Sequence, residues 1–251
     1  MYKKYITDKV LRAKLEELHD KKYRLKELLE KSKNKSPFVV ELAGMTRTGK
    51  TVSSERIFEF FKMANYTVLR TREPAQIVKE RYDITSLSNL DFNDKTLEIS
   101  KEQLNDSIEQ KPDIILQDRG VFDNYIWYQM MYERGDIDFD TYIKRMSDIN
   151  SVVNIDDQLY LMTANPETIV MRDYSDQIFL EPRKKTTIEG VTKLRDGMNN
   201  LTSQMHINNL IRLDTSNINE VDTAVIISNN IIDGLLNNLK SIISVPIPLL
   251  I

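Results

Sequence analysis

Cysteine is missing altogether from the 251 residues, and only His19 and His206 represent histidine. The first absence excludes disulfides and thiolate chemistry and fits an expectation of a cytoplasmic protein. The second leaves no histidine-rich metal site to expect. Long apolar runs are also lacking. The N-terminus is highly charged without an apolar core segment, so no signal peptide is expected. The C-terminal stretch 241–251, "SIISVPIPLLI", is about half the length of a membrane span and contains Pro246 and Pro248. It is expected to pack on the domain or on a partner subunit rather than enter lipid. With a net charge of −3, a nucleic-acid polymer is not the expected partner. The charge is uneven: residues 1–36 carry twelve Lys/Arg against six Asp/Glu, leaving 23 against 32 for the remainder.

Glycine is scarce, seven residues in all, yet two of them punctuate "ELAGMTRTGKTVSS" at residues 41–54. Gly44-Met45-Thr46-Arg47-Thr48-Gly49-Lys50-Thr51 matches G-x-x-x-x-G-K-[ST], the phosphate-binding P-loop, in full. The motif needs its glycines because the backbone must turn until successive N–H groups face phosphate oxygens. A helix starting near Lys50 adds the positive end of its dipole. In this reading the loop from Gly44 through Val52 cradles ATP, Lys50 reaches the β- and γ-phosphates, and the Thr51 hydroxyl ligates Mg²⁺.

The surrounding chain alternates strand and helix patterns. Residues 1–36 read as a helical extension with Leu11, Leu15, Leu18, Leu25 and Leu29 on a heptad stripe that Lys22 interrupts. The interruption favours a helix lying against the main domain over a homodimer or partner seam. From Phe38 onward, "FVVELA", "YTVLRT", "DIILQD", "QLYLMTA" and "LIRLDTS" read as strands separated by helical stretches. That order predicts a three-layer α/β/α fold over residues 37–240 with a five-stranded parallel sheet.

Charged clusters fall at the predicted strand ends, where such sheets form their ligand crevice. "TREPA" places Arg72 and Glu73 after the second strand; "QDRG" places Asp118 and Arg119 after the third. Asp118 is the candidate for holding Mg²⁺, through a water. After the fourth strand, "NPETIVMRDYSDQIFLEPRKK" carries Arg172, Arg183, Lys184 and Lys185 on a segment expected to be mobile. Phe122, Tyr125 and Trp127 are candidates either for an acceptor wall or, preferably, for the core.

Together these residues resemble the thymidylate kinase and deoxynucleoside kinase branch of P-loop kinases, from about Phe38 to Leu239. "TREPA" is similar to the Arg-Glu-Pro signature, "DRGVFDNYIW" to the Asp-Arg segment after strand three, and "NPETIVMRD" to the stretch leading into the lid. Arg47 is similar to the P-loop arginine of one thymidylate kinase class. The resemblance implies ATP and Mg²⁺ as cofactors and a lid at about 172–198. It gives Glu73 an acceptor-side role, Arg119 a grip on the acceptor, and Arg47, Arg172 and Arg183 the charge of the transferring phosphoryl group. Thr46, Val52, Ala75-Gln76 and Gly120 depart from the family pattern. The phosphate end is thus intact and the base-recognition end altered. The expected activity is phosphoryl transfer from ATP to a small acceptor, nucleoside or nucleotide. A non-nucleotide acceptor and a regulatory nucleotide-binding ATPase are the alternatives.

Overall fold

The apolar run starting at Phe38 is buried at all seven positions and forms β1 (Phe38–Gly44), the central strand. In the computed structural model, which describes residues 9–31, 36–153, 155–177, 186–204 and 209–243, it pairs on one side with β3 (Ile114–Asp118) and on the other with β4 (Gln158–Thr163). Strands β2 (Val68–Arg70) and β5 (Leu210–Asp214) complete the sheet, in the order β2-β3-β1-β4-β5. All pairings are parallel. Their C-terminal ends therefore meet at one edge: Leu42 lies opposite Asp118 and Gly44 opposite Met162.

Alternation along β1 sorts the two faces. Val40 and Leu42 point with Ile114, Leu116, Tyr160 and Met162 into a core closed by α1 (Lys9–Lys31), α2 (Lys50–Lys62) and α9 (Glu220–Ile243). Ala43, Leu159 and Leu161 point the other way. There α5 (Val121–Glu133), α6 (Phe139–Val153), α7 (Pro166–Gln177) and α8 (Ile188–Gln204) pack over them. Burial of both sheet faces is why the inner strands β1, β3 and β4 run largely apolar.

Two helices, besides α7 in the segment expected to be mobile, escape sequence patterning. One is α3 (Pro74–Arg81), begun by Pro74 at its first turn behind the Glu73 cap; the other is α8. The helix α4 (Asn89–Glu109) starts earlier than its periodicity suggests, because Ser88 and Asp91 form a reciprocal capping box. The segment expected to be mobile is helical up to Gln177. Arg183, Lys184 and Lys185 lie outside the described residues, as do 244–251 of the apolar tail.

Helix α1 belongs to the core. Leu18, Leu25 and Leu29 are buried against residues of α2 and α9. Lys22, at the position that breaks the leucine stripe, is also fully buried. Its ammonium donates to the Phe60 carbonyl at 2.7 Å, near the C-terminal end of α2, and sits 3.9 Å from the Phe60 ring centroid. A cation there complements the negative end of the α2 dipole. Burial nevertheless pulls its pKa down to about 8. The unfolded chain keeps the ordinary, higher lysine value and so binds more protons above pH 8, which makes folding stability rise with pH in that range. The difference in melting temperature between wild type and Lys22→Met should therefore move in favour of wild type from pH 8 to pH 10. A pH-independent difference would remove this account of the buried lysine.

Candidate functional site

The bend after β1 is built from backbone that most residues avoid. Gly44 has φ 114°, and a Cβ there would lie 2.3 Å from the Met162 carbonyl of β4, so no side chain fits. Arg47 (φ 61°) and Gly49 (φ 88°) are also left-handed. Gly49 caps α2, whose first i→i−4 bond runs from Ser53 N–H to the Gly49 carbonyl. The amides of Lys50, Thr51 and Val52 precede that bond and are the helix-end donors an anion would use. Met45 contributes backbone only, since its side chain is part of the core. Thr48 is buried and closes the loop by donating to the Met45 carbonyl at 2.9 Å. Thr46 and Val52 are exposed at the loop and the first helical turn.

The Lys50 ammonium is nearly buried and folds back on the loop, donating to the carbonyls of Gly44, at 3.2 Å, and Met45. Burial first, and then the Arg119 charge, depress its pKa to about 7. A polyanion in the loop would supply the compensating charge. Next to it, Thr51 stands close enough to the Asp118 carboxylate at the end of β3 to favour its charged form. Burial holds the Asp118 carboxyl above its ordinary pKa, against the influence of Thr51 and the Lys50 charge. Its Oδ1 is buried without a hydrogen-bond partner. A buried carboxylate oxygen left open beside a threonine hydroxyl is the donor set a hydrated divalent cation uses, so the residues fit Mg²⁺. Among the described residues no group of three or more His, Cys, Asp or Glu side chains is placed to hold a metal by itself.

The residues expected on the acceptor side converge on Arg119, itself left-handed at φ 61°. Its Nη1 donates to the Gly44 carbonyl at 3.0 Å and to both oxygens of Asp123 at 2.8 Å. Its Nε lies 3.1 Å from Glu73 Oε1. Asp123 in turn accepts from the Gly44 N–H at 2.9 Å and from Trp127 Nε1 at 3.1 Å. One carboxylate thus ties the start of the P-loop to Arg119. Arg72, by contrast, is exposed and pairs with Glu80.

Glu41 fixes this corner from below. It is the one charged residue of β1, its strand partner is Gln117, and its carboxylate accepts the N–H groups of Gly120, Phe122 and Asp123 at 2.8–3.0 Å. Burial and the nearby Asp123 charge raise its pKa to about 7, against those three bonds. At Gly120 a side chain would crowd this corner. A Cβ there would lie 2.5 Å from Glu41 Oε2 and 2.6 Å from Gln117 Oε1. Sequence reasoning missed both Asp123 and Glu41. The signals were a carboxylate four residues after Arg119 on one helix and a lone charge inside an apolar strand.

On the far side of the loop, Arg47 Nε bonds Asp173 Oδ1 at 3.0 Å, and Thr186 donates to the other oxygen at 2.6 Å. Arg172 spends its guanidinium on carbonyls: Arg47 O at 3.0 Å, Thr215 O at 2.7 Å and Ile218 O at 3.4 Å. The structure brings together Arg47, Lys50, Thr51, Glu73, Asp118, Arg119 and Arg172 around one edge. Arg183 lies outside the described residues. Phe122 is fully buried in the core and Tyr125 packs on the same cluster, while Trp127 turns its indole N–H to Asp123.

At the level of sequence, no protein-family model and no curated protein matches this chain. Solved structures do. Deoxyadenosine kinase from M. mycoides, determined with bound dATP, superposes with a TM-score of 0.55 at 17% identity, over 77% of this chain and 98% of that one. Thymidylate kinase from Candida albicans superposes with a TM-score of 0.54 at 13% identity, over 81% of this chain and 93% of its own. The fold is that of P-loop nucleoside and nucleotide kinases. Among the described residues, no helix is long and apolar enough to cross a membrane.

Proposed function

We propose that this protein is an ATP-dependent phosphotransferase that passes the γ-phosphoryl group to a small nucleoside or nucleotide acceptor. One observation carries the reading. The complete P-loop with Lys50, the Thr51–Asp118 pair and the Glu73–Arg119–Asp123 cluster stand at the same strand-end edge, with Lys50 within electrostatic reach of all four acidic and basic neighbours. A phosphate-binding loop alone would suit a switch or a regulatory ATPase. A carboxylate and an arginine presented beside it suit an acceptor, because phosphoryl transfer depends on positioning and charge more than on covalent help.

In this reading the loop amides and Lys50 hold the triphosphate. Thr51, and Asp118 through water, hold Mg²⁺, which would supply charge neutralisation at the β- and γ-oxygens. Glu73 faces the acceptor, and Arg119 keeps Glu73 in place while Asp123 anchors both to Gly44. Arg47 and Arg172 join the loop to α7 and to the turn after β5, so closure around nucleotide would engage all three. The two nucleotide-metabolising kinases of like fold favour a nucleoside or nucleotide acceptor over other small alcohols.

The test is ADP release with Mg·ATP against a panel of nucleosides and their monophosphates. Turnover with a matching acceptor should exceed basal hydrolysis by about tenfold or more and reach roughly 1–100 per second. Hydrolysis that no acceptor accelerates would replace the kinase reading with a regulatory ATPase. Absence of calorimetric heat with Mg·ATP would remove the nucleotide site itself.

A further inference from the structure

We infer that Glu41 is a positioning residue for phosphoryl transfer: its ionised carboxylate sets the first turn of α5, and with it the placement of Arg119 and Asp123 beside Gly44. The inference rests on the phosphotransfer reading above and names a residue that acts from beneath its site.

Helix α5 has no cap of its own. Its N-cap is Gly120, which brings no side chain. The amides of Gly120 and Asp123 donate instead to Glu41 Oε1, and that of Phe122 to Oε2, all from a different strand. Three donors on one side chain need an acceptor that carries no hydrogen. An ionised carboxylate meets that need; a protonated one, or an amide, turns a donor toward at least one N–H. Capping alone asks for no more than a neutral hydroxyl or amide. Here a fully buried carboxylate does it.

The contacts close a ring. Glu41 holds the first turn of α5, and Asp123 in that turn accepts from the Gly44 N–H at 2.9 Å. Gly44 ends the strand that carries Glu41. Arg119 stands at the entry to α5, its Nη1 shared by Asp123 and the Gly44 carbonyl. Arg119 and Asp123 both act on the Lys50 charge. Proton uptake by Glu41 opens one link of this ring, and the groups it loosens are those around the phosphates.

Few groups face Glu41. β3 presents neutral Gln117, and β4 presents apolar Leu159. α5 presents Asp123, already paired with Arg119, and the turn before β4 presents Asp156, which accepts from Gln117. Asp118 alternates to the opposite face of the sheet with Leu116. Burial, and then the Asp123 charge, bring Glu41 to a pKa of about 7, while burial holds Asp156 well above the carboxylate range. The folded value of Glu41 exceeds the unfolded one. Its contribution to stability is therefore full at acid pH and is lost as pH rises through 7. Transfer runs the other way, since it needs the ionised form.

The experiment compares full-length wild type with Glu41→Gln between pH 6 and pH 8, reading kcat with the best acceptor of the panel, affinity for Mg·ATP and melting temperature. At pH 8 the variant should be slower in kcat by about 10- to 100-fold, the scale of loss for an ångström of misplacement. By pH 6 the wild-type advantage should shrink by about fivefold or more, as wild type takes up its proton; titrations common to both proteins cancel in the ratio. Affinity for Mg·ATP should change by less than about threefold, because the amides of Lys50, Thr51 and Val52 belong to α2. The melting temperature of wild type should meanwhile fall relative to the variant from pH 6 to pH 8. A rate ratio independent of pH, or one that follows the stability difference, overturns the inference. Should Glu41→Gln not fold, hydrogen exchange of wild type decides. Protection of amides 120, 122 and 123 relative to intrinsic exchange should drop by about tenfold from pH 8 to pH 6, and unchanged protection overturns the role of Glu41. Mg·ATP hydrolysis that no acceptor accelerates at any pH in wild type removes the parent reading and this inference with it.

Discussion

Lys50→Ala should lower acceptor-dependent ATP turnover by about 10³-fold or more while leaving the unfolding transition in place. The size of the loss follows from what Lys50 is placed to do. A single cation aimed at transferring phosphoryl oxygens in a water-poor site is worth several orders of magnitude in rate. The insensitivity of the fold follows from burial. With a pKa near 7 in the folded protein against the ordinary lysine value in the unfolded chain, the buried ammonium subtracts stability at neutral pH. That cost recedes as pH rises above 7. Removing the ammonium takes away a destabilising charge along with three hydrogen bonds to its own loop. Chemical denaturation and steady-state kinetics on the same preparation separate the two effects. A variant that folds and turns over normally would refute the site.

Glu73→Gln should reduce transfer by roughly 10²–10⁴-fold, the usual contribution of a positioned general base. The affinity for Mg·ATP should change by less than about twofold, because Glu73 caps α3 and contacts Arg119 but makes no contact with the P-loop amides. Glutamine keeps the shape and can still accept from Arg119 Nε, so the loss tests the carboxylate rather than the packing. Parallel losses in nucleotide affinity and in turnover would place Glu73 on the nucleotide side instead.

Most of the scaffold could be read from residue order. The five strands stand where the apolar runs put them, most firmly the inner strands β1, β3 and β4, because a strand buried on both faces has no freedom to be polar. The P-loop was legible because its glycines answer a backbone requirement that few sequences meet by chance; Gly44, with Met162 pressed against it, shows that requirement directly. Helix α3 was not legible, since eight residues with a weak apolar stripe offer little periodicity. Only Pro74 at its start marks it. Helix α8 was hidden for a related reason. Of its seventeen residues few are large and apolar, and its buried face rests on Val191 and Met198.

The site divided along the same line. Lys50 and Thr51, at the start of α2, and Glu73, Asp118 and Arg119, at or just after strand ends, were named from local motifs, since their neighbours in sequence declare them. Asp123 and Glu41 carry no motif. Asp123 matters because α5 swings its carboxylate under Gly44, 79 residues away. Glu41 matters because β1 runs beside β3 and points it at the amides that open α5. The lone charge in "FVVELA" announced an oddity without naming its partner.

What the chain determined by itself was a parallel sheet and the glycine-framed bend after its central strand, since periodicity and backbone sterics act within a few residues. Whether Arg119 stays free to grip an anion or is already held by Asp123 and Glu73 was decided only in three dimensions. Charges from three separate elements, β3, α5 and the start of α3, set that balance. Their mutual energies depend on distance through the fold, which spacing along the chain does not record.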